Sequence, residues 1–183
     1  MSEDLLVRHC SPTLAGINPG NMFPCTYGSN KELQDYIRRL NRVLTPKGIR
    51  VVVFRCKEGH ALIYVFRPKA IREILADPRA AALLRDLGYG ELRMEPCLCQ
   101  LLGRFQEYGE FPHEVGLFLG YPPEDVRGFI ENSAHNQKCV GCWKVYGDEA
   151  AAQKTFAKYK KCTRAYCNQW ARGTSMERLA VAV

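Results

Sequence analysis

The segment HCSPTLAG, His9 to Gly16, sets an imidazole and a thiol immediately before a Ser-Pro pair. Serine is a favoured N-cap and proline a favoured first helical residue, so the spacing predicts a short helix opening at Pro12. Cys10 would then stand at a helix mouth, where unpaired N–H groups and the dipole favour a thiolate, and a cationic His9 would push the same way. Gly16, Asn18, Pro19 and Gly20 end that helix within about two turns. The chemistry on offer is a nucleophilic or ligand-gripping thiol, with backbone around Pro12 to Leu14 holding an anion or oxyanion. His9, Ser11, Thr13, Asn18 and Asn21 are the ligand-side candidates. The competing reading is a buried cysteine beside a structural cap.

A thiol nucleophile needs a base. Of the four histidines, His60 lies in a turn and His135 in the polar loop ENSAHNQK, whereas FPHE puts His113 in the first turn of a helix. A helix N-terminus lowers an imidazole pKa and keeps the ring able to accept a proton. Cys10 and His113 form the candidate dyad, with Glu114 or Asn18 as orienter; a histidine bonded to backbone at a helix start is the bland alternative.

Cys139-x-x-Cys142, followed by Cys162 and Cys167, has the look of a zinc or redox cluster. Cys162 and Cys167 point ~140° apart on one helix, so an intact helix cannot aim both at one ion. Cys139 and Cys142 therefore stand as a weak metal or redox alternative. Lys154, Lys158, Lys160, Lys161 and Arg164, interleaved with Phe156, Tyr159 and Tyr166, form a basic face that could bind nucleic acid, or simply be solvated. No P-loop, GxGxxG, HExxH or GxSxG pattern occurs, and no cofactor is expected.

These residues must be positioned by ordinary elements. SNKELQDYIRRLNRVLTPKG carries a capping box (Ser29, Glu32), an apolar helical face, and a stop at Pro46 and Gly48. IRVVVFRC and ALIYVFR around KEGH read as a β-hairpin. PKAIREILAD and PRAAALLRDLGYG are two short helices, and another runs from about Pro96 to Tyr108. FPHEVGLFLGYPPEDVRGFIEN reads as two more around Gly120, and CWKVYG as a third strand. Asp148 caps a long final helix with the stripe Ala152, Phe156, Tyr159, Thr163, Tyr166 and Trp170. The tail, 172–183, is expected to fray or add a short strand. The sum is α+β: a small, mostly antiparallel sheet of three to four strands surrounded by about seven helices, in one domain over 1–183.

Together HCSPTLAG, FPHEVGLFLGYPPEDVRGFIEN, CWKVYGDEAA and FAKYKKC make the chain resemble the family called domain of unknown function 3793, uncharacterised proteins of anaerobic bacteria. The likeness covers nearly the whole chain. It implies a stand-alone cytoplasmic domain and carries over no activity, cofactor or catalytic residue.

Composition bounds the rest. With 183 residues the chain can bury a sizeable core, and nothing in it approaches the ~18 apolar residues of a membrane span. The acidic start MSEDLLVRHC lacks the basic n-region and apolar core of a signal peptide, so a cytoplasmic protein with reduced thiols is expected, Cys97 and Cys99 among its nine cysteines as small buried hydrophobes. A net charge of +7 is compatible with an anionic small molecule or nucleic acid. Two functions from different classes follow. One is a thiol-dependent enzyme or binder of an anionic or carbonyl metabolite. The other is a non-catalytic nucleic-acid- or protein-binding module using Lys154, Lys158, Lys161 and Arg164.

Overall fold

Leu6, Val7, Cys10 and Leu14 recur at helical spacing and are all fully buried, which draws the N-terminal segment into one helix, α1 (Glu3–Leu14). In this computed structural model, which describes residues 3–107 and 111–182, Pro12 sits inside that helix instead of opening it. The segment Gly20–Thr26, to which the sequence reading assigns no element, is strand β1. It is followed by α2 (Asn30–Leu44), a short 3-10 turn (Thr45–Lys47), β2 (Arg50–Lys57) and β3 (His60–Phe66). The sheet is antiparallel in the order β1-β3-β2. Pro24 is tolerated because β1 is an edge strand, where no partner needs its missing N–H. The β2–β3 turn places Glu58 and Gly59 both in the left-handed region, at φ 50° and 78°.

Ser29 caps α2, its Oγ accepting the Glu32 N–H at 3.2 Å, while the Glu32 carboxylate reaches back to the Gly28 N–H at 2.9 Å. Gly48 stops the segment in the left-handed region. The capping box and its stop are thus as read from the sequence.

The remaining elements are α3 (Pro68–Ala76), α4 (Pro78–Asp86), α5 (Met94–Glu107), α6 (Val115–Phe118), α7 (Pro123–Glu131), β4 (Cys139–Val140), β5 (Lys144–Val145), α8 (Glu149–Ala171) and α9 (Met176–Leu179). CWKVYG does not join the main sheet. Among the described residues its Lys144–Val145 pairs with Cys139–Val140 alone, as a separate two-stranded hairpin. The fold class is α+β, as expected, with nine α-helices among the described residues.

The single domain expected from length takes the form of two compact units, residues 1–69 with 161–183, and residues 70–160. The core of the first joins α1, α2, one face of the sheet and α9. A cluster in the second is Trp143, Val145 and Ala152, with Tyr121, Phe156 and Tyr159 packed against it. The long helix α8 serves both cores. Ala152, Phe156 and Tyr159 of its apolar stripe pack in the second unit, and Tyr166 and Trp170, with Cys167, in the first.

The tail is held. Met176, Leu179 and Ala180 are buried, and the Val181 N–H donates to the Leu14 carbonyl at 3.0 Å. Fraying over 172–183 is corrected, through residue 182, by this docking. Arg67, 5% exposed, explains much of it. Its guanidinium donates to the carbonyls of Thr13 (2.7 Å), Leu14 (2.9 Å), Val181 (2.8 Å) and Lys47 (3.2 Å). One planar fork thus caps the C-terminus of α1 and pins the last described residues to it.

Candidate functional site

The structure corrects the environment read for Cys10. Its sulfur lies in the body of α1, fully buried, and burial drives the thiol pKa well above its ordinary value of 9.0. Pro12 does not open the helix: Glu3 and Asp4 occupy its first turn and the apolar face runs on through Cys10. The premise of a thiolate at a helix mouth does not hold. A pH dependence follows. A thiol that holds its proton more tightly in the fold stabilises it fully below pH ~9 and less as the pH rises, by up to about 1.4 kcal/mol per pH unit. Urea unfolding of Cys10→Ala between about pH 7 and 11 is expected to show a shallower alkaline loss than the parent; equal slopes would mean the thiol is accessible.

The neighbouring candidates are also built into the first unit. His9 is exposed and stacks on Phe23, ring centroids 5.9 Å apart. Ser11 Oγ donates to the Val7 carbonyl, Thr13 Oγ1 to Asn21 Oδ1 at 2.7 Å, and Asn18 Nδ2 to the Gly20 carbonyl at 2.7 Å. Ser11, Thr13 and Asn18 are buried.

His113 belongs to the other unit. It precedes the single-turn α6, is exposed, and meets Phe129 edge-on at 4.9 Å. Glu114 is buried, but its Oε1 is engaged by Arg104 Nη1 and the Tyr89 hydroxyl, both at 3.1 Å. Arg104 in turn lies over the Tyr89 ring, at 5.1 Å, and donates to the Leu87 carbonyl. Glu114 therefore ties α5 to the α6 turn; it is bonded as a structural group and not as an orienter of His113.

The cysteine pair sits on the β4–β5 hairpin. Cys139 is half-buried, its thiol pKa raised by burial and then by Glu149; Cys142 is exposed at the hairpin tip, its thiol also pushed up by burial. Of the pair in α5, Cys97 is buried but Cys99 is exposed, because adjacent positions two apart on a helix face different ways. Among the described residues, no three His, Cys, Asp or Glu side chains are grouped to hold a metal ion. Lys154, Lys158, Lys161 and Arg164 are all exposed on α8.

Sequence reasoning missed the cleft in which His113 takes part. Within the second unit a cleft of about 350 Å³ is walled by Tyr121, Phe129, Trp143 and Phe111, with His113, Lys144 and Cys142 among its polar lining. Tyr121 stacks on Trp143 at 4.9 Å, and Trp143 meets Phe156 edge-on at 4.5 Å. Lys144 Nζ lies 5.8 Å above Phe129 and donates to the Ala134 carbonyl at 2.7 Å. Asp125, 2% exposed at the third position of α7, organises this wall. Its Oδ2 accepts the Trp143 indole N–H, and its Oδ1 the N–H groups of Tyr146 and Gly147, all at 2.7 Å. Three donors meet a buried carboxylate that has no cationic partner among the described residues. Glycines make the approach possible. A Cβ on Gly128 would come within 2.5 Å of the Tyr146 Cβ, and one on Gly116 within 2.9 Å of both Tyr121 and Val126.

Residues 6–180, spanning α1 to α9, match the family described as "Protein of unknown function (DUF3793)". The chain belongs to this family. The DUF3793 match takes in residues of both units, Arg67 and the cleft residues among them; Val181 lies one position beyond it. No curated protein and no solved structure matches this DUF3793 chain significantly. No described helix is long and apolar enough to cross a membrane.

Proposed function

We propose that the protein is a small-molecule binder whose cleft in the second unit takes an aromatic ring bearing an anionic group, such as an aromatic carboxylate. The observation that carries this reading is the pairing of a ring-sized aromatic slot, about 350 Å³, with a lysine and a histidine on its lining. Ligand sites are typically apolar hollows from ~300 Å³ upward with a few oriented polar groups. Tyr121, Trp143 and Phe129 supply faces for stacking, and Asp125 adds no competing free acceptor because its oxygens already receive three N–H bonds. Lys144 needs only to exchange the Ala134 carbonyl for a ligand carboxylate. Nine cysteines, all as free thiols, support a reducing compartment, the cytoplasm.

The probe 8-anilino-1-naphthalenesulfonate carries both an aromatic body and an anion. Saturable one-site binding is expected, weakened about tenfold by Lys144→Gln, the scale of one charge-assisted contact, and abolished by Trp143→Leu. The uncharged N-phenyl-1-naphthylamine should bind more weakly and ignore Lys144→Gln. Non-saturating fluorescence, or a titration that both substitutions leave unmoved while Tm is unchanged, would sink the reading.

A further inference from the structure

The acidic and basic residues are not shared evenly between the units. Residues 1–69 with 161–183 hold 15 Lys/Arg against 6 Asp/Glu, net +9, whereas residues 70–160 hold 11 against 13, net −2. Within the basic unit the asymmetry sharpens further. From Tyr36 to Lys57, 22 residues contain seven cations and no acidic residue. This run comprises most of α2, the 3-10 turn and all of β2.

The fold gathers three of these cations at one corner. Asn41 of α2 clasps the β2 edge, its Nδ2 donating to the Val51 carbonyl at 2.7 Å and its Oδ1 accepting the Val51 N–H at 2.9 Å. Arg42 and Arg50 are the chain neighbours of the two clasped residues, and Arg50 Nη1 reaches Thr45 Oγ1 at 3.4 Å, one helical turn beyond Arg42. Lys47 lies between them in the 3-10 turn. Arg42 and Arg50 are exposed, and among the described residues none of the three is in an ion pair. Arg38, one turn before Arg42, extends the row and is held at 3.4 Å from Asp35. Like charges one turn apart on a helix destabilise it. The helix dipole favours Arg42 near the end of α2 but offers nothing to Arg50 on a strand.

We propose that this α2–β2 corner, with Arg42, Lys47 and Arg50 at its centre, binds the phosphate backbone of duplex nucleic acid. Arginines on a helix and a clasped strand are held in place before binding, and their guanidinium forks suit phosphate. A membrane surface is disfavoured, because an interfacial helix needs exposed apolar residues. Here Leu33, Tyr36, Leu40 and Leu44 of α2 are all buried, and the exposed large hydrophobics among the described residues (Phe111, Val140, Val181) lie on neither α2 nor β2. This corner is distinct from the α8 face that the sequence pointed to.

The test is anisotropy of a fluorescein-labelled 20-base-pair DNA duplex with the full chain, from about 50 to 200 mM salt. Binding in the micromolar range at 50 mM is expected, with affinity falling linearly on a log–log salt plot. Arg42→Glu with Arg50→Glu should weaken it at least tenfold and flatten the salt slope by about 2, at ~0.9 per lost phosphate contact. The charge-matched Lys154→Glu with Lys158→Glu should change it less than twofold. The proposal is overturned if no binding occurs at 50 mM, if both double variants lose affinity equally, if poly-L-glutamate competes as well as unlabelled duplex, or if phosphatidylserine vesicles compete as well as unlabelled duplex. Circular dichroism with an unchanged Tm confirms that each variant is folded. None of these readouts involves the aromatic cleft, so the two proposals stand or fall separately.

Discussion

Arg67→Met is expected to lower stability by about 3–5 kcal/mol, as four donations from one guanidinium to backbone carbonyls are lost, each worth a net ~1 kcal/mol or a little more. The carbonyls concerned belong to Thr13, Leu14, Val181 and Lys47. Methionine replaces the stem but none of the four donations. Among the described residues Arg67 pairs with no carboxylate, so the loss there is one of hydrogen bonds to the C-terminus of α1, the 3-10 turn and the tail. With a urea m-value of ~2 kcal/mol/M, the midpoint should fall by about 1.5–2.5 M. The tail should also be released first, so limited proteolysis should cut within residues 172–182 before any other site. A midpoint shift below about 0.5 M would show that water replaces the guanidinium at little cost. Arg67→Lys should recover only part of the loss, since an ammonium has no planar fork to span α1 and Val181 at once.

Asp125→Ala is expected to cost about 3–4 kcal/mol and to dismantle the aromatic wall. It orphans the Trp143 indole N–H and the backbone N–H groups of Tyr146 and Gly147. It also removes an acidic residue from the first turn of α7, where the helix dipole favours one. In a Trp170→Phe background, Trp143 emission should shift to the red as the indole loses its anchor, and binding of 8-anilino-1-naphthalenesulfonate should fall with it. Asp125→Asn separates the parts. Its oxygen can still accept the Tyr146 and Gly147 N–H groups, but its amide then faces the indole donor, so about half the loss and most of the red shift are expected. An unshifted spectrum in Asp125→Ala would mean that packing against Tyr121 and Phe156 alone orients Trp143.

The residues that were legible are those whose structure is local. The Ser29 cap, the stop at Gly48, the Glu58–Gly59 turn and the Asp148 cap, which accepts the Ala151 N–H at 3.0 Å, depend on neighbours within a few positions. The stripe from Ala152 to Trp170 was legible for the same reason, as a 3.6-residue period. Pro12 misled because its local preference for a helix start competes with an apolar face that begins six residues earlier, and burial of Leu6, Val7 and Cys10 decided the contest.

What the sequence determined by itself was therefore the class of elements, their order and most of their ends, because caps, turns and periodicities act over one or two helical turns. Tertiary structure alone decided that one stripe on α8 serves two cores, that Arg67 reaches Val181 across 114 positions of chain, and that Asp125 holds an indole 18 residues away. Those contacts join groups brought together by burial of distant apolar faces, and no local spacing encodes them.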